Sequence, residues 1–128
     1  MVTMKMLGLV ALGFIAVVPP IGRQAATVDV RIGKSIAQGM PVDTASAFAA
    51  GTTQVAGWTR VSGMAAGSKI THVWIHGSDS LKVELTVGGS PWRTYSRKTI
   101  PSGATGDWTL EVWSADGTKL GSKSFRIG

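Results

Sequence analysis

Beyond residue 26, apolar and polar positions alternate with a period of two, which is typical of half-buried β-strands. In the first such segment Val28, Val30 and Ile32 share one face. Further strands are predicted at 54–61, 69–76, 81–87, from Pro91 onward, 107–114 and 119–127. Gly, Asp and Pro turns join them, and Asp116-Gly117 is the strongest hairpin signal. We predict an all-β fold, an antiparallel immunoglobulin-like β-sandwich of about seven strands over residues 27–128.

The first predicted strand covers 27–36, and the Gln38–Pro41 segment ends it. Two interpretations remain open for the residues that follow it, 43–51. Asp43 can cap a helical turn that Gly51 ends, or Phe48 can anchor an irregular loop.

The hairpin between strands 69–76 and 81–87 leaves its register open. An even loop pairs Trp74 with Val83 and buries the alternate residues of the first strand from Ile70 to His76. An odd loop buries Val73 and Ile75 instead. We favour a buried Trp74, because an indole has more apolar area to remove from water. On strand 81–87 the inward residues are expected to be Leu81, Val83, Leu85 and Val87.

The N-terminal segment has the features of an export signal. Lys5 precedes an unbroken apolar run from Met6 to Val18, which Pro19 and Pro20 end. We predict an apolar export helix within residues 1–26, either a signal peptide cleaved near Ala25 or Ala26 or an uncleaved anchor that uses residues 6–22. The domain is therefore expected to be periplasmic or secreted, or anchored to the inner membrane.

Composition narrows the chemistry. The chain has no cysteine, which excludes disulfides, thiolate catalysis and cysteine zinc sites. Removing residues 1–26 takes away Lys5 and Arg23, which lowers the basic residues from 13 to 11 against 7 acidic ones and the net charge from +6 to +4. A basic surface suits anionic partners of the envelope, although it also simply promotes solubility. The basic residues are dispersed along an exported chain, so we expect no nucleic-acid partner.

Catalytic and metal signatures are weak. His72 and His76 lie four residues apart on a predicted strand, roughly 13 Å, which is too far to share one ion. No phosphate-binding loop or nucleophile pattern is present, and we expect no metal or cofactor. A glycan hydrolase that uses Glu84, Glu111 or Asp107 is the remaining enzymatic alternative, but nothing in the sequence pairs two of these carboxylates.

The strand that follows Pro91 carries the most distinctive side chains. Arg93, Tyr95 and Arg97 share one face, and Trp92 lies on the other. Two guanidinium groups beside an aromatic ring are suited to sugar carboxylates, sulfates or lipid phosphates. The alternative is structural: Arg93 stacks on a tryptophan or pairs with Glu84 or Glu111.

We predict ligand contacts at Trp92, Arg93, Tyr95 and Arg97, with Trp113 as an addition because it stands on the opposite strand face from Trp108.

Several motifs together resemble the bacterial family called domain of unknown function 2914. They are IAQGMPVD at 36–43, ITHVW at 70–74, VGGSPWRTYSRK at 87–98, GDWTLEV at 106–112 and DGTKLGSKSFRI at 116–127. The resemblance covers about residues 28–128 and implies an extracytoplasmic β-rich domain of the bacterial envelope. It implies no activity and assigns no site residue.

The expected function is a non-enzymatic envelope binding module for anionic glycan, lipid head groups or a partner protein. The alternative is structural assembly through exposed strand edges, with other copies or with another envelope protein.

Overall fold

A computed structural model describes residues 26–128 as ten β-strands. The predicted export segment lies outside the described residues. None of residues 26–128 belongs to a helix long and apolar enough to cross a membrane. In chain order, the strands are β1 (Thr27–Gly33), β2 (Ser35–Ala37), β3 (Met40–Val42), β4 (Ala47–Phe48), β5 (Gln54–Ser62), β6 (Lys69–His76), β7 (Asp79–Thr86), β8 (Trp92–Thr99), β9 (Gly106–Ser114) and β10 (Lys119–Ile127).

Eight of these strands form two sheets. Sheet I has the order β1-β5-β8, and sheet II has the order β4-β10-β9-β6-β7. Every pairing is antiparallel except the short β4–β10 pairing, which is parallel, so sheet II is mixed. The two remaining strands, β2 and β3, pair with each other as the β2–β3 hairpin. The fold is therefore all-β, as the alternating pattern predicts.

The strand predictions are confirmed where alternation is strongest. The predicted segments 69–76 and 119–127 coincide with β6 and β10, while β5 and β9 contain the predicted 54–61 and 107–114. The predicted first strand, however, is divided. It ends at Gly33, and the chain then reverses at Gln38 and Gly39, whose φ angles are 53° and 74°. Consecutive positive φ angles are the geometry of a tight two-residue hairpin turn.

Residues 43–51 contain no helical turn. Of the two interpretations offered by the sequence, the loop anchored by Phe48 is confirmed. Phe48 is buried and meets Phe125 edge to face, with ring centroids 6.1 Å apart. Burial of this ring fixes the loop against sheet II and allows β4 to pair with β10.

The β6–β7 hairpin confirms the predicted face but not the predicted register. Ile70, His72 and Trp74 are buried, as an even loop requires. However, Trp74 pairs with Leu81 rather than with Val83, because β7 begins at Asp79 and the turn has only two residues. A shift of two residues leaves every side chain on its predicted face.

The inward face of β7 is less buried than its alternation predicts. Val87 is fully buried, but Val83 and Leu85 are only half-buried, and Leu81 is 45% exposed. The prediction that Leu81 faces inward is confirmed by its pairing with Trp74, but this inward-facing side chain is left largely uncovered. The physical reason is that β7 is the edge strand of sheet II, so no further strand covers that end of the layer.

The core lies between the two sheets. Ile32 and Val55 from sheet I pack in one cluster with Trp74, Leu110 and Phe125 from sheet II. Because this cluster draws on both sheets, its burial holds the two layers together.

A polar network crosses the same core. His72 Nε2 lies 2.9 Å from Thr59 Oγ1 and His72 Nδ1 lies 2.7 Å from Ser96 Oγ, while Trp74 Nε1 donates to Ser96 Oγ at 3.0 Å. Thr59 and Ser96 belong to sheet I, whereas His72 and Trp74 belong to sheet II. Burial lowers the pKa of His72 to about 4, so the ring is neutral at pH 7. A neutral imidazole donates through one nitrogen and accepts through the other, so the network satisfies the buried histidine.

Candidate functional site: a cationic face on sheet I

The predicted face of β8 is present. Arg93, Tyr95 and Arg97 are exposed on the outer side of sheet I, while Ser96 is buried on the inner side. The Arg97 guanidinium carbon lies 4.9 Å from the centroid of the Tyr95 ring, within the range of a cation–π contact. The sequence therefore places these three side chains correctly.

Trp92 and Trp113 do not lie on this face. Trp92 is on the inner side of β8, where its ring packs on Gly88 so closely that an added Cβ would come within 2.6 Å of it. Trp113 lies on sheet II, where its Nε1 donates to Glu111 Oε1 at 2.9 Å. The structure thus separates Trp113 from the β8 face by the whole thickness of the core.

Strand pairing brings additional residues to the face. The β5–β8 register sets Arg60 directly opposite Arg93 and Trp58 opposite Tyr95, and the β1–β5 register sets Arg31 opposite Trp58. We call the set Arg31, Trp58, Arg60, Arg93, Tyr95 and Arg97 the cationic face.

Sequence reasoning missed Trp58, Arg60 and Arg31 as site residues. Alternation on β5 does place Trp58 and Arg60 on one side, but the pairing of β5 with β8 joins residues more than 30 positions apart. No local signal reveals that register.

The β2–β3 hairpin covers the centre of the cationic face. Although Trp58 points away from the core between the sheets, it is only 2% exposed, and its Nε1 donates to the Gly39 carbonyl oxygen at 2.8 Å. The Arg31 guanidinium lies 5.7 Å from the Trp58 ring centroid. The hairpin and Arg31 therefore cover Trp58 on the outer side of sheet I.

Beside the hairpin lies a groove of about 390 Å³, lined by Met40, Trp58, Arg60, Pro91 and Arg93. Arg93 Nη1 donates to Met40 Sδ at 3.0 Å, which holds this guanidinium at the groove wall. A thioether is a weak acceptor, so Arg93 keeps most of its hydrogen-bonding capacity for other groups. A groove with two guanidinium groups in its wall is suited to binding an oxyanion.

No described carboxylate, within residues 26–128, neutralises the charges of the groove. Among residues 26–128 none of Arg60, Arg93 and Arg97 forms an ion pair with a carboxylate. The structural alternative in which Arg93 pairs with Glu84 or Glu111 is wrong, because both acidic residues lie on sheet II. Like charges directly opposite each other across two strands are destabilising. Arg60 and Arg93 are such a pair, and an anion between them would remove the repulsion.

Two of the three candidate catalytic carboxylates, Glu111 and Asp107, contact other side chains of the protein. Glu111 contacts Trp113 and Lys119, and Asp107 accepts from Arg126 Nη1 at 2.9 Å. Glu84 lies on β7 opposite Thr71, away from both of them in the register. The structure therefore does not bring Glu84 together with Glu111 or Asp107 as a catalytic carboxylate pair.

The two histidines make different contacts. His72 is part of the buried network, whereas His76 Nε2 donates to the Thr105 carbonyl oxygen at 2.8 Å and its ring stacks on Trp108. Within residues 26–128 no three His, Asp or Glu side chains are grouped so as to hold a metal ion.

Comparison with known proteins gives one family. The model of the family described as "Protein of unknown function (DUF2914)" matches residues 67–127, which span β6 to β10. Arg93, Tyr95 and Arg97 lie within the match, while Trp58 and Arg60 lie before it. No curated protein matches the chain. Residues 67–127 thus resemble this family of unknown function, as the motifs in that part of the chain predict.

Proposed function

We propose that this protein is a non-enzymatic binding module that recognises clustered oxyanions through its cationic face. The ligand would be an acidic envelope glycan or an anionic lipid head group, which share carboxylate, sulfate or phosphate groups. The observation that carries the proposal is the cross-strand pair Arg60–Arg93, which has no carboxylate partner among residues 26–128 and borders a groove of about 390 Å³.

The chemistry of the groove supports this class of ligand. Guanidinium groups bind carboxylates and phosphates through two parallel hydrogen bonds, and they stack on aromatic planes. Tyr95, which is 39% exposed, offers such a plane beside Arg97. Because the site is open to water, its affinity would depend strongly on ionic strength.

We also propose an immunoglobulin-like sandwich and an extracytoplasmic location. With β1, β5 and β8 in one sheet and β10, β9, β6 and β7 in the other, the seven longer strands have the three-plus-four division of an immunoglobulin-like sandwich. Such domains present their sheet faces and loops to partners. We further propose that the domain acts in the periplasm or outside the cell, since the apolar run 6–18 is typical of an export signal.

A second candidate function is assembly through a strand edge. β7 is eight residues long, and within the described part of the chain it pairs only with β6. It contains neither a proline nor a bulge that would discourage another strand from adding to it. A rise in molecular mass with protein concentration, abolished by a proline at Glu84, would favour this candidate.

Binding of the purified full chain to acidic and neutral polysaccharides, and to phospholipid vesicles with and without anionic lipid, tests the proposed function. The decisive variant is Arg60→Gln with Arg93→Gln. A hydrogen bond to a charged group contributes about 1.5–3 kcal/mol, so we expect the double variant to bind about 100-fold more weakly or worse. Glycan binding without vesicle binding would identify the glycan as the source of the anion, and the reverse would identify the lipid.

The matched control is Lys119→Gln with Arg126→Gln. It removes the same charge from the outer side of sheet II, where both residues are paired with carboxylates. If this control weakened binding as much as the β5–β8 variant did, the net charge rather than the groove would be responsible and the proposed site would be wrong. Absence of binding to every acidic probe at low salt would contradict the function itself.

A further inference from the structure

A second cleft opens on the opposite side of β8, at the seam where the free edges of the two sheets meet. It has a volume of about 370 Å³ and lies between the β6–β7 turn and the loop 101–104. Trp74 and Trp108 form its floor, and Leu81, Asp79 and Lys98 stand around it. It shares no lining residue with the groove of the cationic face.

The aromatic floor is already fixed by the protein. Trp108 Nε1 donates to the Ala104 carbonyl oxygen at 3.0 Å, and Trp74 Nε1 donates to Ser96. The His76 ring stacks on Trp108 with centroids 4.4 Å apart. The two rings are only 1% and 4% exposed, so they form a rigid base of the cleft and leave little ring surface for an occupant. Such a floor is preformed, which lowers the entropy cost of binding.

Leu81 provides apolar surface in the cleft that the described part of the chain leaves uncovered. Its register partner is Trp74, so it belongs to the inner face of sheet II, yet it remains 45% exposed. An inward-facing leucine of this kind loses about 25 cal/mol for each Å² of apolar surface left in water. An apolar group that filled the cleft would recover that free energy.

Two opposite charges stand at the cleft without neutralising each other. Among the described residues neither Asp79 nor Lys98 forms an ion pair with a charged partner. Lys98 Nζ donates to the Thr99 carbonyl oxygen at 2.7 Å and lies 5.5 Å from the Trp108 ring centroid, so its position is defined.

Asp79 is the cross-strand partner of His76, whose Nδ1 has no hydrogen-bond partner among residues 26–128. One end of the cleft therefore offers acceptors for an ammonium group, and Lys98 offers a donor for a carboxylate.

From this juxtaposition we propose that the cleft binds a small zwitterion with an apolar body. A free amino acid with a large apolar side chain and a short apolar peptide both have this chemistry. The ammonium group pairs with Asp79, the carboxylate pairs with Lys98, and the side chain packs on the exposed Leu81 above the buried indoles. A volume near 370 Å³ is at the small end of ligand pockets, which suits one or two residues rather than a long peptide.

Titration of the isotope-labelled full chain with L-leucine and with leucyl-leucine, followed through the indole N–H signals of Trp74 and Trp108, tests this inference. We expect saturable shifts of these two signals, with the tighter probe identifying the amino acid or the peptide as the source. N-acetylation and C-terminal amidation of the same probes remove one charge each. Each should weaken binding at least tenfold, and this comparison needs no protein variant.

Variants then assign the two charges. Asp79→Asn and Lys98→Gln should each weaken binding of the zwitterion at least tenfold, while Lys98→Arg, which keeps the charge, should restore most of it. Lys82→Gln and Glu84→Gln, on the outward face of the same edge strand, are the matched controls and should bind normally. Unshifted indole signals with both probes, or equal binding of the doubly blocked and free peptides, would overturn the inference. So would a loss of binding in the Arg60→Gln/Arg93→Gln variant, because the two sites would then not be independent.

Discussion

The outer sides of the two sheets differ in whether their cations are paired with carboxylates. On sheet II, Lys119 lies 3.7 Å from Glu111 and Arg126 lies 2.9 Å from Asp107, so cations stand next to anions across β9 and β10. On sheet I, Arg60 stands opposite Arg93, and the only ion pair of that side among the described residues joins Arg31 to Asp29. Two cations of sheet II are thus paired with carboxylates, whereas among the described residues Arg60, Arg93 and Arg97 of sheet I are not.

In a fold without a catalytic motif, this difference in charge pairing indicates which surface is functional. Cross-strand ion pairs stabilise a sheet slightly, and like charges weaken it by a similar amount. A surface that places two guanidinium groups opposite each other, beside a hairpin that covers a buried indole, departs from what stability alone favours. Such departures are expected at functional sites.

The largest difference between the two sides should appear when their tryptophans are truncated. Trp58→Ala removes a 2%-exposed side chain that holds the β2–β3 hairpin, so we expect the free energy of unfolding to fall by about 3–5 kcal/mol. Trp113→Ala removes a half-buried ring that packs beside Glu111, and its effect should be clearly smaller. Chemical denaturation of both variants measures this. Equal losses would mean that the hairpin adds nothing to sheet I.

A second prediction concerns the layer between the two sides. The pKa of His72 is about 4 in the folded chain and about 6.5 when unfolded, so the unfolded state binds the proton more readily. Stability should therefore fall as the pH drops from about 6.5 to about 4, by roughly 3 kcal/mol, and this contribution should be fully present above pH 6.5.

Denaturation across that pH range, repeated with His72→Gln, isolates this effect from the titration of carboxylates. We expect the variant to lose most of the pH dependence in this window, whereas the control His76→Gln keeps it. If His72→Gln and the wild type had parallel pH profiles, protonation of the buried ring would not be coupled to unfolding.

The smallest expected change in stability comes from reversing one charge on each sheet, and the two changes should have opposite signs. Arg60→Glu replaces a like-charge pair with an opposite-charge pair, so it should stabilise the fold by a few tenths of a kcal/mol, up to about 1. Lys119→Glu makes the opposite change beside Glu111 and should destabilise by a similar amount. We also expect that the stabilised Arg60→Glu variant no longer binds anions. Thermal melts at low and high salt check the signs, and both differences should shrink as salt rises.

Most of the architecture was predictable because alternation is a local property. β6 and β10 were placed correctly, and so was the outward row Arg93, Tyr95 and Arg97. Each depends only on side chains two residues apart pointing to the same side of a strand.

The features that the sequence did not predict depend on pairing between strands that are far apart along the chain. The approach of Arg60 to Arg93, the position of the hairpin over Trp58 and the uncovered Leu81 all follow from which strands become neighbours and which become edges. The separation of Trp113 from the β8 face has the same cause, since its strand belongs to the other sheet. A single sequence contains no direct record of these neighbours.

We propose that the Arg60–Arg93 pair forms a specific oxyanion site and is not merely part of a basic surface. The most direct measurement follows the side-chain Nε–H signals of the arginines by NMR while the full chain is titrated with inorganic phosphate at low salt. We expect the signals of Arg60 and Arg93 to shift together and saturate with one dissociation constant, while the signal of Arg126 on sheet II barely moves. Equal, non-saturating shifts of all three arginines would contradict it.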